Sequence, residues 1–170
     1  MTSSAEATVS LRALEPEDLD LLYAIENDPG VWEAGLSPTL YSRYMLKQYI
    51  ATAANDIYVD GQLRLVVQLG DAAMGLADLT GFDAASGRAE VGMVVVPQYR
   101  CRGLGTAALV ALAAHARRLH LHQLWATVAV GHVAAEAMVA HAGFSATAAL
   151  RQWLRVGDGY RDARIWQLML

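Results

Sequence analysis

Apolar positions along this chain change period several times, and each change marks an element. TVSLRAL (8–14) alternates as a first strand. In EPEDLDLLYAIEND, Leu19, Leu22 and Ile25 recur on one helical face behind Pro16 and acidic residues suited to a first turn. Asn27-Asp28-Pro29-Gly30 breaks that helix, and SRYMLKQYIATAA (42–54) predicts a second. DIYVD (56–60) and QLRLVVQL (62–69) read as two arms of a hairpin about an Asp60-Gly61 turn. AAMGLADLTGF (72–82) and RAEVGMVVV (88–96) are further strands around the turn-rich DAASG.

The period then lengthens over 104 to about 119, a helix whose last turn carries Arg117 and Arg118, where cations suit the helix dipole. QLWATVAV (123–130) is a strand, and VAAEAMVAHA (133–142) a short helix that Gly143 can end. ALRQWLRV and ARIWQLML close the chain as two strands about the turn GDGYRD. Hairpins combined with one β-α-β unit at 89–130 predict an α/β fold, a mixed sheet with helices on its faces.

Composition narrows this picture. A chain of 170 residues, 55% hydrophobic and 18% charged, supports one globular domain over 1–170 with a single sizeable core. There is no membrane-spanning run and no leader at the start, and a single cysteine suits a reducing cytoplasm. A net charge of −4 argues against nucleic acid as a partner and suits a cationic one. No metal set is evident: Cys101 stands alone, and His120 and His122 lack a completing carboxylate.

The densest chemistry lies in VVVPQYRCRGLGTAAL (94–109), a strand, a proline stop, a basic glycine loop and a helix. Gly103-Leu104-Gly105-Thr106-Ala107-Ala108 fits G-x-G-x-x-A. A dinucleotide fold, however, needs an acidic residue roughly 20 positions on, and no Asp or Glu occurs between Gly103 and Glu136. A Walker loop would need Gly-Lys-Ser/Thr. What stands is a diphosphate at a helix N-terminus, approached through Gly103 and Gly105 and neutralised by Arg100 and Arg102.

Arg100 to Ala107, RCRGLGTA, resembles the Arg/Gln-x-x-Gly-x-Gly/Ala motif of the GNAT family of N-acetyltransferases. LRALEPEDLDLLYAIENDPGVWE, HAGF (141–144) and GDGYRDARIWQLML are similar to segments of its spermidine/diamine and ribosomal-protein branch. The resemblance implies a mostly antiparallel sheet of six to seven strands, splayed at an acyl-CoA site and flanked by about four helices. It implies acetyl-CoA as co-substrate and a primary amine as acceptor: a polyamine or other small amine, a protein N-terminus or an amino sugar.

By the same resemblance the backbone of Met93, Val94 and Val95 would bond the pantetheine. Arg100, Cys101, Arg102, Gly103, Leu104, Gly105 and Thr106 would hold the pyrophosphate. Glu90 is the candidate base, or else a strand-end charge paired with Arg88. His132 and Val139 stand where the family commonly has Asn and Tyr. Valine cannot protonate a thiolate, so the acid is Tyr160, His132 or Tyr44, or the thiolate leaves unaided. Glu26, Asp28, Trp32 and Glu33 are acceptor candidates by charge and cation–π attraction, or an acidic loop anchored by Trp32. The valine also fits a second reading, an acyl-CoA-binding module without turnover. Edge strands such as the last could pair two chains in a homo-oligomer.

Overall fold

The computed structural model describes residues 8–32 and 39–170. Strands β1 (Val9–Ala13), β2 (Leu63–Leu69), β3 (Ala72–Asp83), β4 (Arg88–Val95), β5 (Gln123–Ala129), β6 (Ser145–Val156) and β7 (Gly159–Met169) form one sheet in the order β1-β2-β3-β4-β5-β7-β6. All neighbours are antiparallel except β4 and β5, which the long helix α5 (Leu104–Arg118) connects. Around the sheet lie α1 (Leu19–Glu26), α2 (Pro29–Trp32), α3 (Arg43–Thr52), α4 (Ile57–Asp60) and α6 (Val133–His141).

Strand alternation divides the apolar residues between two cores. On one face Leu63, Leu65, Ala77, Leu79 and Ala89 pack with Ala108, Leu109 and Leu112 of α5 and Val139 of α6. On the other, Val66 and Leu76 pack with Leu22 and Ile25 of α1 and Leu46 and Ile50 of α3. Burying a Leu or Ile side chain contributes about 1.5–3 kcal/mol, so the two cores fix the helices on opposite sides. α1 is anchored further by Asp18, only 6% exposed, whose carboxylate takes two hydrogen bonds from Arg12 at 2.6 and 2.7 Å. The same carboxylate accepts the Glu15 N–H at 2.9 Å.

Two local expectations are corrected. DIYVD is not a hairpin arm: Asp56 accepts the Tyr58 N–H at 2.8 Å and starts the single-turn helix α4, which Gly61 closes at φ +68°. Fully buried Ile57 and the Tyr58 hydroxyl, bonded to the Leu119 carbonyl at 2.8 Å, hold that turn against the core. The terminal hairpin is also tighter than GDGYRD suggests. Val156 pairs with Gly159 and Arg155 with Tyr160, so Tyr160, Arg161 and Asp162 belong to β7. Gly143 does end α6, at φ +96°, with the Phe144 N–H returning to the Val139 carbonyl at 3.0 Å.

Gly75 is required by close approach. A Cβ there would lie 2.0 Å from the Val94 carbonyl oxygen, so only glycine lets β3 seat against the end of β4.

Candidate active site

β4 and β5 part almost as soon as they meet. Their parallel pairing covers Arg88↔Gln123, Ala89↔Leu124 and Glu90↔Trp125, and then stops. β4 continues to Val95 paired only with β3, and β5 continues to Ala129 paired only with β7. A wedge-shaped cleft therefore opens from Glu90 toward Val95. Backbone groups of Val91–Val95 on the β5 side have no strand partner among the described residues, and all but the Val95 carbonyl, which Arg100 takes, can bond a guest.

The wide end of the cleft runs into the glycine loop. After β4, Pro97–Tyr99 makes one 3-10 turn, and the Arg100 guanidinium donates from Nε to the Val95 carbonyl at 2.7 Å. Cys101 and Gly103 both take left-handed conformations, φ +58° and +72°. Gly103 is the N-cap of α5 and has no side chain with which to cap its first N–H groups, and no acidic residue stands in that first turn. Unpaired N–H groups, a helix dipole and the exposed guanidiniums of Arg100 and Arg102 together suit an anion. Inside the first turn, a Cβ on Gly105 would come within 2.9 Å of Met138 Sδ, so glycine lets α5 and α6 approach.

At the narrow end, the Glu90 carboxylate reaches across the parting. Its Oε1 accepts the Thr127 hydroxyl at 2.9 Å, although Thr127 lies past the last backbone pair. Burial pushes the Glu90 carboxyl above the ordinary glutamate range, and hydrogen bonds from the Thr127 hydroxyl and backbone N–H pull it partly back. Arg88 bonds Asp83 at 3.1 Å instead, so the pairing of Glu90 with Arg88 is overturned: in this register the neighbouring arginine points to the strand end.

Cross-strand register carries Glu90 to a second feature. Glu90 pairs with Thr80, and in the next row Gly92 pairs with Asp78 and Asp78 with Arg64. Opposite residues share a sheet face, the face covered by α1 and α3. Thr80, Asp78 and Arg64 line a cavity there of about 360 Å³, with Glu26, Tyr41 and Tyr49 on its other walls. Arg64 grips both oxygens of Asp78, at 2.8 and 2.9 Å, and bonds Glu26 at the end of α1. Its guanidinium carbon lies 5.7 Å from the centre of the Tyr49 ring. Two carboxylates, Asp78 and Glu26, share one guanidinium in this cavity.

A family model for the GNAT acetyltransferase domain matches residues 8–145. The chain belongs to the GNAT acetyltransferase family. By that family it is an acetyltransferase. No curated protein matches it by sequence. Among solved structures, it is similar to the spermidine N-acetyltransferase of Vibrio cholerae in complex with CoA and spermine, at 21% identity, 95% coverage of both chains and a TM-score of 0.85. A ribosomal L7/L12 α-N-protein acetyltransferase with CoA matches at 16% identity over 96% of this chain and 94% of its own, TM-score 0.83. A microcin C7 self-immunity acetyltransferase with acetyl-CoA and AMP matches at 15% identity over 96% and 93%, TM-score 0.81. At these identities the likeness shows the fold.

Within this GNAT fold the residues singled out from sequence meet only in part. Met93, Val94 and Val95 lie on the part of β4 that has left β5, and 100–106 form the loop and first turn at its end. His132 caps α6, its Nδ1 accepting the Ala135 N–H at 3.2 Å. Val139 is sealed in the α5-side core, 2% exposed. Tyr160 is 63% exposed near the hairpin tip, beyond the last β5–β7 pair at Ala129↔Ala163, and is not brought to Glu90. Tyr44 is likewise exposed on α3.

Of the acceptor candidates, Glu26 lines the cavity, while the Asp28 carboxylate turns back to the Gly30 N–H at 2.8 Å. The Trp32 side chain and Glu33 lie outside the described residues. Arg64, Asp78, Thr80, Tyr49 and Thr127 were not found from sequence. Arg64 within β2 and Asp78 within β3 were the available signal, since a half-buried strand seldom places Arg and Asp inward without a partner.

Proposed function

We propose that this chain, as a single domain over residues 1–170, transfers the acetyl group of acetyl-CoA to the primary amine of a small cationic molecule held in the cavity beside Glu90. The observation that carries this reading is the continuity of the site: Thr80 lines the cavity and pairs with Glu90, and Glu90 closes the apex of the cleft. The loop at 100–106 holds the pyrophosphate, and β4 backbone groups at Met93–Val95 hold the pantetheine and polarise the thioester carbonyl. Glu26 and Asp78 attract the acceptor cation, and Glu90 removes the proton from the attacking nitrogen. A polyamine, with several positive charges, fits the carboxylates of the cavity better than an amino sugar with one. A protein N-terminus would need only its first residue to enter.

Val139 supports the other reading, an acyl-CoA-binding module without turnover, because no hydroxyl stands at that position. The single cysteine suits the cytoplasm. The exposed edge strand β6 is where a second copy could pair.

Release of CoA thiol from acetyl-CoA, assayed with polyamines, amino acids, amino sugars and N-terminal peptides, tests the proposal. Turnover with one class of amine establishes the activity and names the acceptor. Tight acetyl-CoA binding with no turnover across the panel would give the binding module the better claim.

A further inference from the structure

We propose that Glu90 carries the proton in both halves of the transfer, taking it from the attacking amine and returning it to the sulfur of the departing CoA. This rests on the reading of Glu90 as the base. It answers what Val139 leaves open, namely which group protonates the thiolate.

The other proton donors are poorly placed. Val139 contributes only methyl groups, inside a core. Tyr160 and Tyr44 are 63% and 70% exposed, on the hairpin overhang and on the outer side of α3. His132 is exposed at the start of α6, where Nδ1 serves as the cap and only Nε2 is left to donate. Tyr41 and Tyr49 line the cavity with Arg64. Tyr49 stands at the Arg64 end of that cavity, its ring centre 5.7 Å from the guanidinium carbon, whereas Glu90 adjoins the Thr80 end. Burial also pushes the Tyr49 phenol up, against the pull of Arg64, and makes it a weaker acid.

Glu90, by contrast, stands where the sulfur arrives. From the phosphate ester to sulfur, an extended pantetheine arm has about as many bonds as four residues of backbone, a span of roughly 13–14 Å. With its phosphate end at the loop and its arm running back along β4 from Val95, it ends near Val91, next to Glu90. The carboxylate already lies in the gap between the strands, gripped by Thr127 on the far wall. The charged groups facing it across the sheet are Asp78 on β3, Arg64 on β2 and Glu26 on α1, and those three pair with one another. Arg88 is occupied by Asp83.

The step balances within the site. The nitrogen lone pair forms the C–N bond, and the carbonyl π pair moves to oxygen. The nitrogen then gives a proton to Glu90. When the tetrahedral centre collapses, the C–S bond breaks with its pair on sulfur, and the protonated Glu90 delivers that proton there. The carboxylate returns to its starting state, and the products are the amide and CoA thiol. Thr127 is a positioning residue that keeps the carboxylate between the two strands.

The test needs no knowledge of the acceptor. CoA thiol is titrated in complex with the protein by the ultraviolet absorbance of its thiolate, with a desulfo-CoA complex as blank so that Cys101 cancels. If Glu90 adjoins the sulfur, its carboxylate holds the bound thiol above the ordinary thiol value of about 8.5. Glu90→Gln then lowers the thiol titration by about one pH unit or more, while CoA still binds. Thr127→Val keeps the carboxylate but frees its position, so the bound thiol should titrate between the wild-type and Glu90→Gln values. Identical titration of the thiol in wild type and Glu90→Gln overturns the proposal and leaves the base role standing. Undiminished amine-dependent thiol release by Glu90→Gln would instead overturn the base reading itself. A loss of rate in Tyr41→Phe, Tyr49→Phe or Tyr160→Phe as large as that in Glu90→Gln would assign the acid to that phenol.

Discussion

Glu90, in the last backbone pair of β4 with β5, and Thr127, two residues past that pair, are joined by their side chains, the hydroxyl donating to the carboxylate at 2.9 Å. The contact turns an unpaired stretch of parallel sheet into a cleft with a defined apex. It also places an ionisable group between the cleft on one side and the cavity that Thr80 lines on the other.

Glu90→Gln is expected to lower kcat by about 10²- to 10⁴-fold, the usual worth of a general base, with CoA affinity kept in calorimetry. In the wild type, kcat/KM should rise with pH as Glu90 ionises, since only the carboxylate accepts a proton. Burial raises this group, so the acid limb should lie above the ordinary glutamate value. An acid limb unchanged in Glu90→Gln would assign it to another group.

Glu26→Gln removes one of the carboxylates lining the cavity. The KM for a cationic acceptor such as spermidine should rise about tenfold, the equivalent of ~1.4 kcal/mol, with kcat little altered. A drop in kcat at constant KM would mean that Glu26 acts on the chemistry rather than on acceptor binding.

Gly75→Ala places a methyl where the Val94 carbonyl oxygen now sits. β3 must move away from β4, at a cost of about 1–3 kcal/mol in chemical denaturation. Because the displaced stretch of β4 borders the cleft, CoA affinity should fall as well. Normal CoA binding with only a lower denaturation midpoint would separate the β3 contact from the cleft.

Gly103→Ala introduces a side chain at φ +72°, in the left-handed region, for about 1–2 kcal/mol. Nothing lies within 4 Å of the added Cβ, so the effect is backbone strain in the loop rather than a clash. The expected result is weaker CoA binding, seen by titration calorimetry, with far-ultraviolet circular dichroism unchanged.

Asp18→Asn should destabilise the fold by about 2 kcal/mol, since it weakens charge-assisted hydrogen bonds to a buried carboxylate. Arg12 holds the Asp18 carboxyl below its usual range. A lowered folded pKa gives stability that is complete above the unfolded value, near 3.9, and is lost as pH falls through the folded one. The Tm difference between wild type and variant should therefore shrink in strongly acidic buffer and stay constant from neutrality down to about pH 5.

The amino-acid sequence determined most of the elements and the nature of the loop, because those depend on neighbours along the chain. Period-two and period-four patterns place the strands and helices, and Gly103, Gly105, Arg100 and Arg102 announce an anion site through local backbone freedom and charge. Even there, short range misled at DIYVD, where the burial of Ile57 outweighed a strand-like pattern. Tertiary structure alone decided the rest. That β4 and β5 stop pairing at Glu90, that Thr127 on β5 grips that residue, and that Arg64 joins Asp78 to Glu26 are relations between residues 14 to 38 positions apart. No local pattern encodes them. They follow from sheet register, which aligns side chains on a common face, and from the burial that forces each charge so aligned to find a partner.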